Sequence, residues 1–263
     1  MQILNIDLSI LGPALLTGLL VSLTHVPLGQ RVLQRGIIFL DLAVAQVAGL
    51  GIILAYSFHW ETGGWQMQLI ATGAAIVAVL LLNYTEHRWP EIQEALIGSL
   101  FVLASSAGIL LLATSAQAGE QLKDLLVGQI LWVSYEQLIP VAMLYAIVLG
   151  LWFGLLRFRK NARSSSLAFY LLFAVTITAS VQLVGVYLVF ASLILPALAT
   201  RNCSKYATHI AYVLSFTAYV SGLLLAMMFD LPSGSVIIFS LAGLALLTAA
   251  LIASLRNKSK PNN

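Results

Sequence analysis

Residues 207–260 read ATHIAYVLSFTAYVSGLLLAMMFDLPSGSVIIFSLAGLALLTAALIASLRNKSK, which is two long apolar runs joined by a short polar turn and followed by a basic tail. Each run has about the ~20 residues that a helix needs to cross a hydrocarbon core of ~30 Å. The joining segment at 230–234 contains the Asp, Pro, Ser and Gly residues that favour turns. The stretch therefore predicts a membrane-spanning helical hairpin, with spans at about 207–228 and 235–255.

Apolar runs of this length recur along the whole chain. Hydrophobic residues make up 60% of the 263 residues and charged residues 9%, and no polar stretch is long enough for a soluble domain. The pattern predicts an all-α, polytopic membrane protein with one transmembrane domain over residues 1–263. We predict nine spans, at about 8–27, 37–58, 66–84, 94–116, 136–156, 166–183, 186–200, 207–228 and 235–255. The run at 186–200 is short for a span, so eight or ten crossings stay open.

The positive charges fall on one side of this topology. If Met1 lies outside, 12 of the 13 Lys and Arg residues lie on the inner side, and Lys123 alone lies outside. This asymmetry is typical of membrane proteins, and it predicts a multi-pass membrane protein. The net charge of +3 does not indicate nucleic-acid binding, because basic residues at inner helix ends meet anionic lipid headgroups of the bilayer. The N-terminus MQILNID has no basic segment, so we expect no cleaved signal peptide.

The stretch before the fifth span is less regular. Residues 117–124 are polar, and residues 125–133 are apolar but too short to cross a bilayer. We predict a short interfacial or re-entrant piece here. Backbone of that kind is tolerated at membrane depth where protein covers it or where it lines a cavity.

Ionisable residues inside spans are rare in this chain, and such residues are candidates for function because their burial is costly. Asp41 lies about one turn into the second span, and His25 lies near the inner end of the first span. The two residues have similar predicted depths on consecutive spans and are therefore able to meet. One interpretation is a metal or proton site. The other is a hydrogen-bonded pair that orients the two helices, and both interpretations stay open at this point.

Two further residues are weaker candidates for the same site. Gln46 follows Asp41 by five residues, so the two side chains point about 140° apart on a helix, and Gln46 is expected to act as an interhelical hydrogen-bonding residue before it acts as a ligand. Glu94 begins the fourth span, where an acid also complements the helix dipole. The chain contains no HExxH, GxSxG or GxxxxGK[ST] motif and no Cys/His cluster. These absences do not favour an enzyme.

Several stretches resemble the permease subunits of bacterial zinc and manganese ATP-binding-cassette (ABC) importers. VQLVGVYLVFASLILPALATR at 181–201 resembles the family pattern VVGxLLVxALLxxPAATAR and is the most specific match. Four other stretches match family patterns in the same order along the chain: VPLGQRVLQRGIIFLDLAVAQVAGLG (26–51), EALIGSL (94–100), DLLVGQILWVS (124–134) and FDLPSGSVII (229–238). The resemblance covers nearly the whole chain.

The resemblance implies a homodimeric permease in the bacterial plasma (inner) membrane. It works with a cytoplasmic ABC ATPase subunit and an extracytoplasmic metal-binding protein. ATP is then hydrolysed on the partner subunit, and the permease holds no permanent cofactor while it transports Zn²⁺, or alternatively Mn²⁺ or Fe²⁺. Asp41 matches the family's carboxylate in the second span, and Glu94 matches an acid at the start of a shared motif. Ala45 stands where the family has a histidine, so His25 or Gln46 is the candidate replacement.

The link between the fifth and sixth spans also departs from the family. The family has an acidic, Gly-containing cytoplasmic segment there that contacts the ATPase, whereas this chain has only RFRKNARSSS at 157–166. The basic residues of the link are the predicted ATPase contacts: Arg157, Arg159, Lys160 and Arg163. The short link and the missing histidine also motivate an alternative from a different class, which is an ATPase-independent carrier or accessory membrane protein.

Overall fold

The computed structural model describes residues 8–57, 65–113, 123, 125–156, 162–203 and 206–258. Within these ranges the chain forms nine α-helices and no β-strand. The helices are α1 (Leu8–Arg35), α2 (Leu40–Ser57), α3 (Trp65–Arg88), α4 (Gln93–Leu112), α5 (Tyr135–Leu151), α6 (Ala162–Val184), α7 (Val186–Thr200), α8 (Ala207–Phe229) and α9 (Ser233–Lys258). The predicted all-α, polytopic membrane fold is confirmed.

Helices dominate because a bilayer offers no water to the backbone. A spanning segment must pair its own N–H and C=O groups, and an α-helix does so within one segment. Among the described residues, seven helices are long and apolar enough to cross a membrane, whereas α2 and α7 are apolar but shorter. Buried hydroxyls follow the same rule, since Thr17 Oγ1 donates to the carbonyl of Pro13 at 2.8 Å and Ser192 Oγ to that of Leu188 at 2.6 Å.

The helix bounds agree with the predicted spans in most places and differ at polar ends. α7 has the predicted bounds, 186–200. α1 continues through Pro27 to Arg35, eight residues beyond the predicted end of its apolar run, because polar residues outside the hydrocarbon still favour helix. It stops at Gly36, whose φ of 72° lies in the left-handed region that glycine enters without a steric penalty. α5 ends at Leu151, and one π-helical turn follows over Trp152–Leu156.

One of two compact units contains α1 up to Gln34, residues Gln129–Leu138, and α7, α8 and α9. Within this unit, helix α8 contacts α1 and α9 at small residues, which let helices approach closely. Ser215 on α8 shares a hydrogen bond of 2.9 Å with Ser22 on α1. Gly222 on α8 meets the backbone of Ile237 on α9.

The second unit contains α2, α3, α4, α5 from Ile139 onward, and α6. Helix α2 packs against α3, α4 and α6, and its apolar face is built from small residues. A Cβ on Gly51 would lie 3.1 Å from Ala74 on α3, so the two helices are in close contact there. The hydroxyl of Tyr145 on α5 is hydrogen-bonded to Ser180 on α6. The prediction of a single domain over residues 1–263 stays a prediction.

Residues 125–128, before α5, pack against α2 and the end of α6 within the second unit. Residues 125–127 are helical, and a 3₁₀ turn follows at Ile130–Trp132. A Cβ on Gly49 would lie 2.6 Å from Leu125 Cδ1, and Gly49 lies nine residues, about 14 Å, beyond the start of α2. Gly128 and Gly185 both have positive φ and touch backbone to backbone. Of the two predicted forms, interfacial or re-entrant, these contacts favour the re-entrant one, because protein covers residues 125–128 well inside the length of α2.

Helices α2 and α7 are apolar and are enclosed by protein. With 18 and 15 residues, α2 and α7 are about 27 Å and about 22 Å long at ~1.5 Å per residue. Most of their side chains are buried. By contrast, α9 has 26 residues and exposes large apolar side chains such as Phe239 (79% exposed) and Leu246 (72%). Helices α2 and α7 are therefore enclosed, whereas α9 presents apolar surface outward.

Candidate functional site

The start of α2 is set by a short connector, which we define as residues 36–39. Its first residue is Gly36, and its second, Ile37, is buried. The N–H of Leu40 donates to the carbonyl of Ile37 at 3.2 Å and begins the helix. This geometry places Asp41 in the first turn of α2.

Asp41 is fully enclosed by protein, with 1% of its surface exposed. Neither of its carboxyl oxygens has a hydrogen-bond partner among the described residues. The N–H groups of Asp41 and Leu42 lie near the carboxyl at the helix start, but no hydrogen bond of acceptable geometry forms. A buried carboxyl without a partner is costly and rare in proteins. This side chain is therefore able to take a cation or a proton as its partner.

Glu94 reaches the same helix end from α4. Its Oε1 accepts a hydrogen bond of 3.2 Å from the N–H of Phe39 in the connector, so it satisfies one of the N–H groups that a helix start leaves unpaired. Its Oε2 is buried and has no hydrogen-bond partner among the described residues. Glu94 is close enough to Asp41 to interact with it electrostatically. The structure thus brings the two predicted carboxyls to one place.

His25 lies on α1, in the other compact unit, and none of its surface is exposed. Its Nδ1 lies 3.0 Å from the carbonyl oxygen of Val21 and 3.1 Å from Thr24 Oγ1. A carbonyl only accepts, so Nδ1 is the donor, and the Nε2 of the neutral ring keeps its lone pair. Nε2 has no partner among the described residues. The predicted meeting of His25 with Asp41 stays a prediction.

The other predicted site residues are placed less informatively. Gln46 is buried on α2 with 6% of its surface exposed, and its role as a ligand stays a prediction. The predicted ATPase contacts Arg157, Arg159 and Lys160 lie outside the described residues. Arg163 belongs to α6, but its side chain is outside the described part of the chain.

A preformed metal cage is absent from the described part of the chain, because no three His, Cys, Asp or Glu side chains there are close enough to hold an ion together. Two carboxyls at a helix start make an open, low-coordination site. Such a site suits transient contact, since a transported ion must leave as readily as it enters.

A polar cluster next to this site was not predicted from the sequence. We define the Arg35 cluster as Arg35 at the end of α1, Glu86 near the end of α3, and Ser166 and Phe169 near the start of α6. Arg35 donates to Ser166 Oγ at 3.0 Å and lies 3.6 Å from Glu86 Oε1. The sequence showed Arg35 only as one of the inner basic residues. Its partners are 51 and 131 residues away along the chain, and no local signal pairs them.

These features define a polytopic helical membrane protein with a polar, carboxyl-bearing site enclosed by its helices. A family model described as the ABC 3 transport family matches residues 7–252. The chain therefore belongs to the ABC 3 transport family.

Relatives and one solved structure extend this result. The chain is 27% identical over 246 residues to the "Probable iron transport system membrane protein" of Haemophilus influenzae, covering 86% of this chain and 87% of the relative. It is 26% identical over 254 residues to the "High-affinity zinc uptake system membrane protein ZnuB" of the same organism, with coverages of 88% and 94%. Its fold is similar to PsaBC from Streptococcus pneumoniae, solved in complex with Fab, with a TM-score of 0.71, 23% identity and coverages of 92% and 91%.

Proposed function

We propose that this protein is the permease subunit of an ABC importer for a divalent metal ion, with zinc as the first cargo to test. The observation that carries the proposal is Asp41, a buried carboxyl with no hydrogen-bond partner among the described residues, beside a second carboxyl from Glu94. Family membership supplies the transport context. Relatives named for iron and for zinc uptake support a metal cargo.

The chemistry of the site follows from its charges. A divalent cation passing the start of α2 meets two carboxyls, one of which has both oxygens free of other partners among the described residues. Oxygen ligands and few neighbours give weak, exchangeable binding, which transport requires. Asp41 acts as the main ligand, and Glu94 acts as a secondary ligand that also holds the helix start. The metal is cargo, and no resident cofactor is needed.

The proposed transporter contains further subunits besides this permease. A cytoplasmic ABC ATPase pair hydrolyses ATP, so the permease is not itself the enzyme, and an extracytoplasmic binding protein delivers the ion. The permease acts as a homodimer in the plasma membrane, the inner membrane where the cell has two. The basic link that contains Arg159 and Lys160 docks onto the ATPase.

The identity of the transported metal ion depends on which residues form the site. Imidazole ligands suit zinc, so the free Nε2 of His25 supports zinc if that residue joins the site. The carboxyls that the structure brings together offer only oxygen, and an oxygen site favours manganese. Relatives named for iron and for zinc have nearly equal identity to this chain, so similarity does not separate the cargoes.

The test is metal uptake in cells in which the gene is deleted and then restored. Wild type, Asp41→Ala and Asp41→Asn are compared for accumulation of zinc, manganese and iron, with Glu91→Ala as control. Glu91 is an exposed acid three residues before Glu94, so its loss removes a carboxylate without touching the site. We expect both Asp41 variants to abolish uptake at normal protein level and Glu91→Ala to retain it. Wild-type uptake by Asp41→Ala would show that the site is wrongly assigned.

A second measurement separates the importer from an ATPase-independent carrier. The tagged protein is purified in mild detergent from its native host, and copurifying proteins are identified by mass spectrometry. An ATPase subunit at stoichiometric amount supports the importer. Metal uptake that persists after that ATPase gene is deleted would favour the carrier.

A further inference from the structure

The connector 36–39 is anchored at both of its ends. At its far end, the N–H of Phe39 is held by Glu94 on α4. At its near end, Arg35 is held by α3 and α6 through the Arg35 cluster. Only five residues lie between Arg35 and Asp41, so the two anchors together fix where α2 begins.

The cluster is a closed network and not a single ion pair. Arg35 Nη1 donates to Ser166 Oγ at 3.0 Å, and Ser166 Oγ donates in turn to Glu86 Oε2 at 2.8 Å. The guanidinium also lies 4.6 Å from the ring centroid of Phe169, a cation–π distance. The exposed fractions are 16% for the Arg35 side chain, 24% for that of Glu86 and 6% for Ser166. Arginine is suited to this task, because its planar fork binds several partners at once.

We propose that Arg35 is a positioning residue that holds the connector against α3 and α6 and thereby fixes the place of Asp41 on the transport path. This inference rests on the proposed function for the role of Asp41. Gly36 bends the chain with a left-handed φ of 72°. Glycine has no side chain that could hold this bend in place, so the neighbouring residues must do so. The buried Ile37 and the hydrogen bond from the N–H of Phe39 to Glu94 hold the rest of the connector.

Ser166 also connects the Arg35 cluster to the start of α6. It lies four residues after the first residue of α6, directly behind the basic link proposed to dock onto the ATPase. A displacement of the start of α6 therefore acts on Ser166, on Arg35 and then on the connector. The cluster joins the helix that follows the docking link to the helix that carries the proposed metal ligand.

The first test measures the connector itself and does not depend on transport. The buried Ile37 is replaced by cysteine in a Cys203→Ser background, and the rate of maleimide labelling is followed in membranes. Arg35→Ala should raise the labelling rate about tenfold, since hydrogen bonds to a charged group contribute about 1.5–3 kcal/mol and about 1.4 kcal/mol corresponds to tenfold. Arg31→Ala is the matched control, because Arg31 is an exposed arginine one turn earlier on α1.

An unchanged labelling rate in Arg35→Ala would overturn the proposal, whatever the cargo proves to be. Arg35→Lys should raise labelling less, because lysine keeps the charge but not the fork. The reversal Arg35→Glu with Glu86→Arg should lower labelling relative to either single change. If neither the lysine nor the double variant improves on Arg35→Ala, the network does not act as described.

The second test measures transport. Arg35→Ala should raise the KM for the metal about tenfold at nearly constant maximal rate per folded molecule, and Arg35→Lys should recover part of the loss. A loss of maximal rate alone, with unchanged KM, would overturn the positioning role. If labelling responds as expected while wild type transports no metal, then the proposed function fails and the connector anchor stands.

Discussion

Gly222→Ala is the substitution whose effect follows most directly from the packing. Gly222 is buried on α8, where the helix touches α9. A Cβ built on Gly222 would lie 2.6 Å from Ile237 Cα, 2.8 Å from its Cγ1 and 3.1 Å from its backbone nitrogen. Two of these three atoms are backbone, so a rotamer change of Ile237 cannot relieve the overlap. The two helices must move apart.

The size of the effect is the difference between two terms. Carbon atoms are in favourable contact at about 3.5–4.0 Å, so the helices must separate by up to about 1 Å, and a gap of that size removes a quarter to a half of each dispersion contact. Overpacking of a well-packed core costs about 1–3 kcal/mol. Alanine returns up to about 1 kcal/mol through its higher helix propensity. The expected net loss is about 1–2 kcal/mol.

Gly243→Ala on α9 is the matched control, because no atom lies within 4 Å of a Cβ at that position. The control variant gains the higher helix propensity of alanine and creates no steric overlap. Its free energy of unfolding should therefore be unchanged or higher by up to about 1 kcal/mol. Both variants are unfolded by SDS titration in mixed micelles and followed by far-UV circular dichroism. Equal stability of Gly222→Ala and Gly243→Ala would show that α8 and α9 do not approach each other as closely as described.

Substitutions at three other places in the protein give distinct outcomes. Glu94→Gln keeps an acceptor for the N–H of Phe39 but loses the charge, so it should reduce metal uptake with little loss of stability. Glu94→Ala loses the acceptor as well, so it should also lower the free energy of unfolding by about 1 kcal/mol, measured by thermal unfolding. Equal stability of the two variants would contradict the capping role. Charge reversal of Arg159 and Lys160 should weaken copurification of the ATPase, and undiminished recovery would place the contact elsewhere. Ser215→Ala breaks a hydroxyl pair with α1 and should lose about 0.6 kcal/mol in SDS unfolding; a loss as large as that of Gly222→Ala would contradict this ranking.

The helices were predictable from the sequence because bilayer thickness imposes a length on each apolar run. The short run at 186–200 was located to the residue, since Gly185 and Arg201 bound it in the sequence and in the structure. The extension of α1 to Arg35 was missed, because hydrophobicity reports where the hydrocarbon ends and not where the helix ends. The sequence predicted a short interfacial or re-entrant piece before α5. Its contact with Gly49 depends on packing that no local pattern encodes.

The candidate site was partly predictable for a related reason. A carboxyl in an apolar run stands out in any sequence, so Asp41 was found at once. That Glu94 would hold the N–H of Phe39 needed the packing of α4 on α2. The Arg35 cluster was missed, because basic residues at inner helix ends have a sufficient explanation in the charge asymmetry.

The enclosure of α2 and α7 has a consequence for the lipid environment. A helix that meets acyl chains along its length adapts to a change of bilayer thickness by tilting, at fractions of a kcal/mol per Å of mismatch. Helices such as α9, with exposed Phe239 and Leu246, must take up that adjustment, whereas α2 is shielded from the acyl chains by its neighbours. The helix that carries Asp41 is therefore mechanically insulated from membrane composition. Metal affinity should accordingly stay nearly constant between proteoliposomes of short-chain and long-chain lipids, even where the thermal stability of the protein changes.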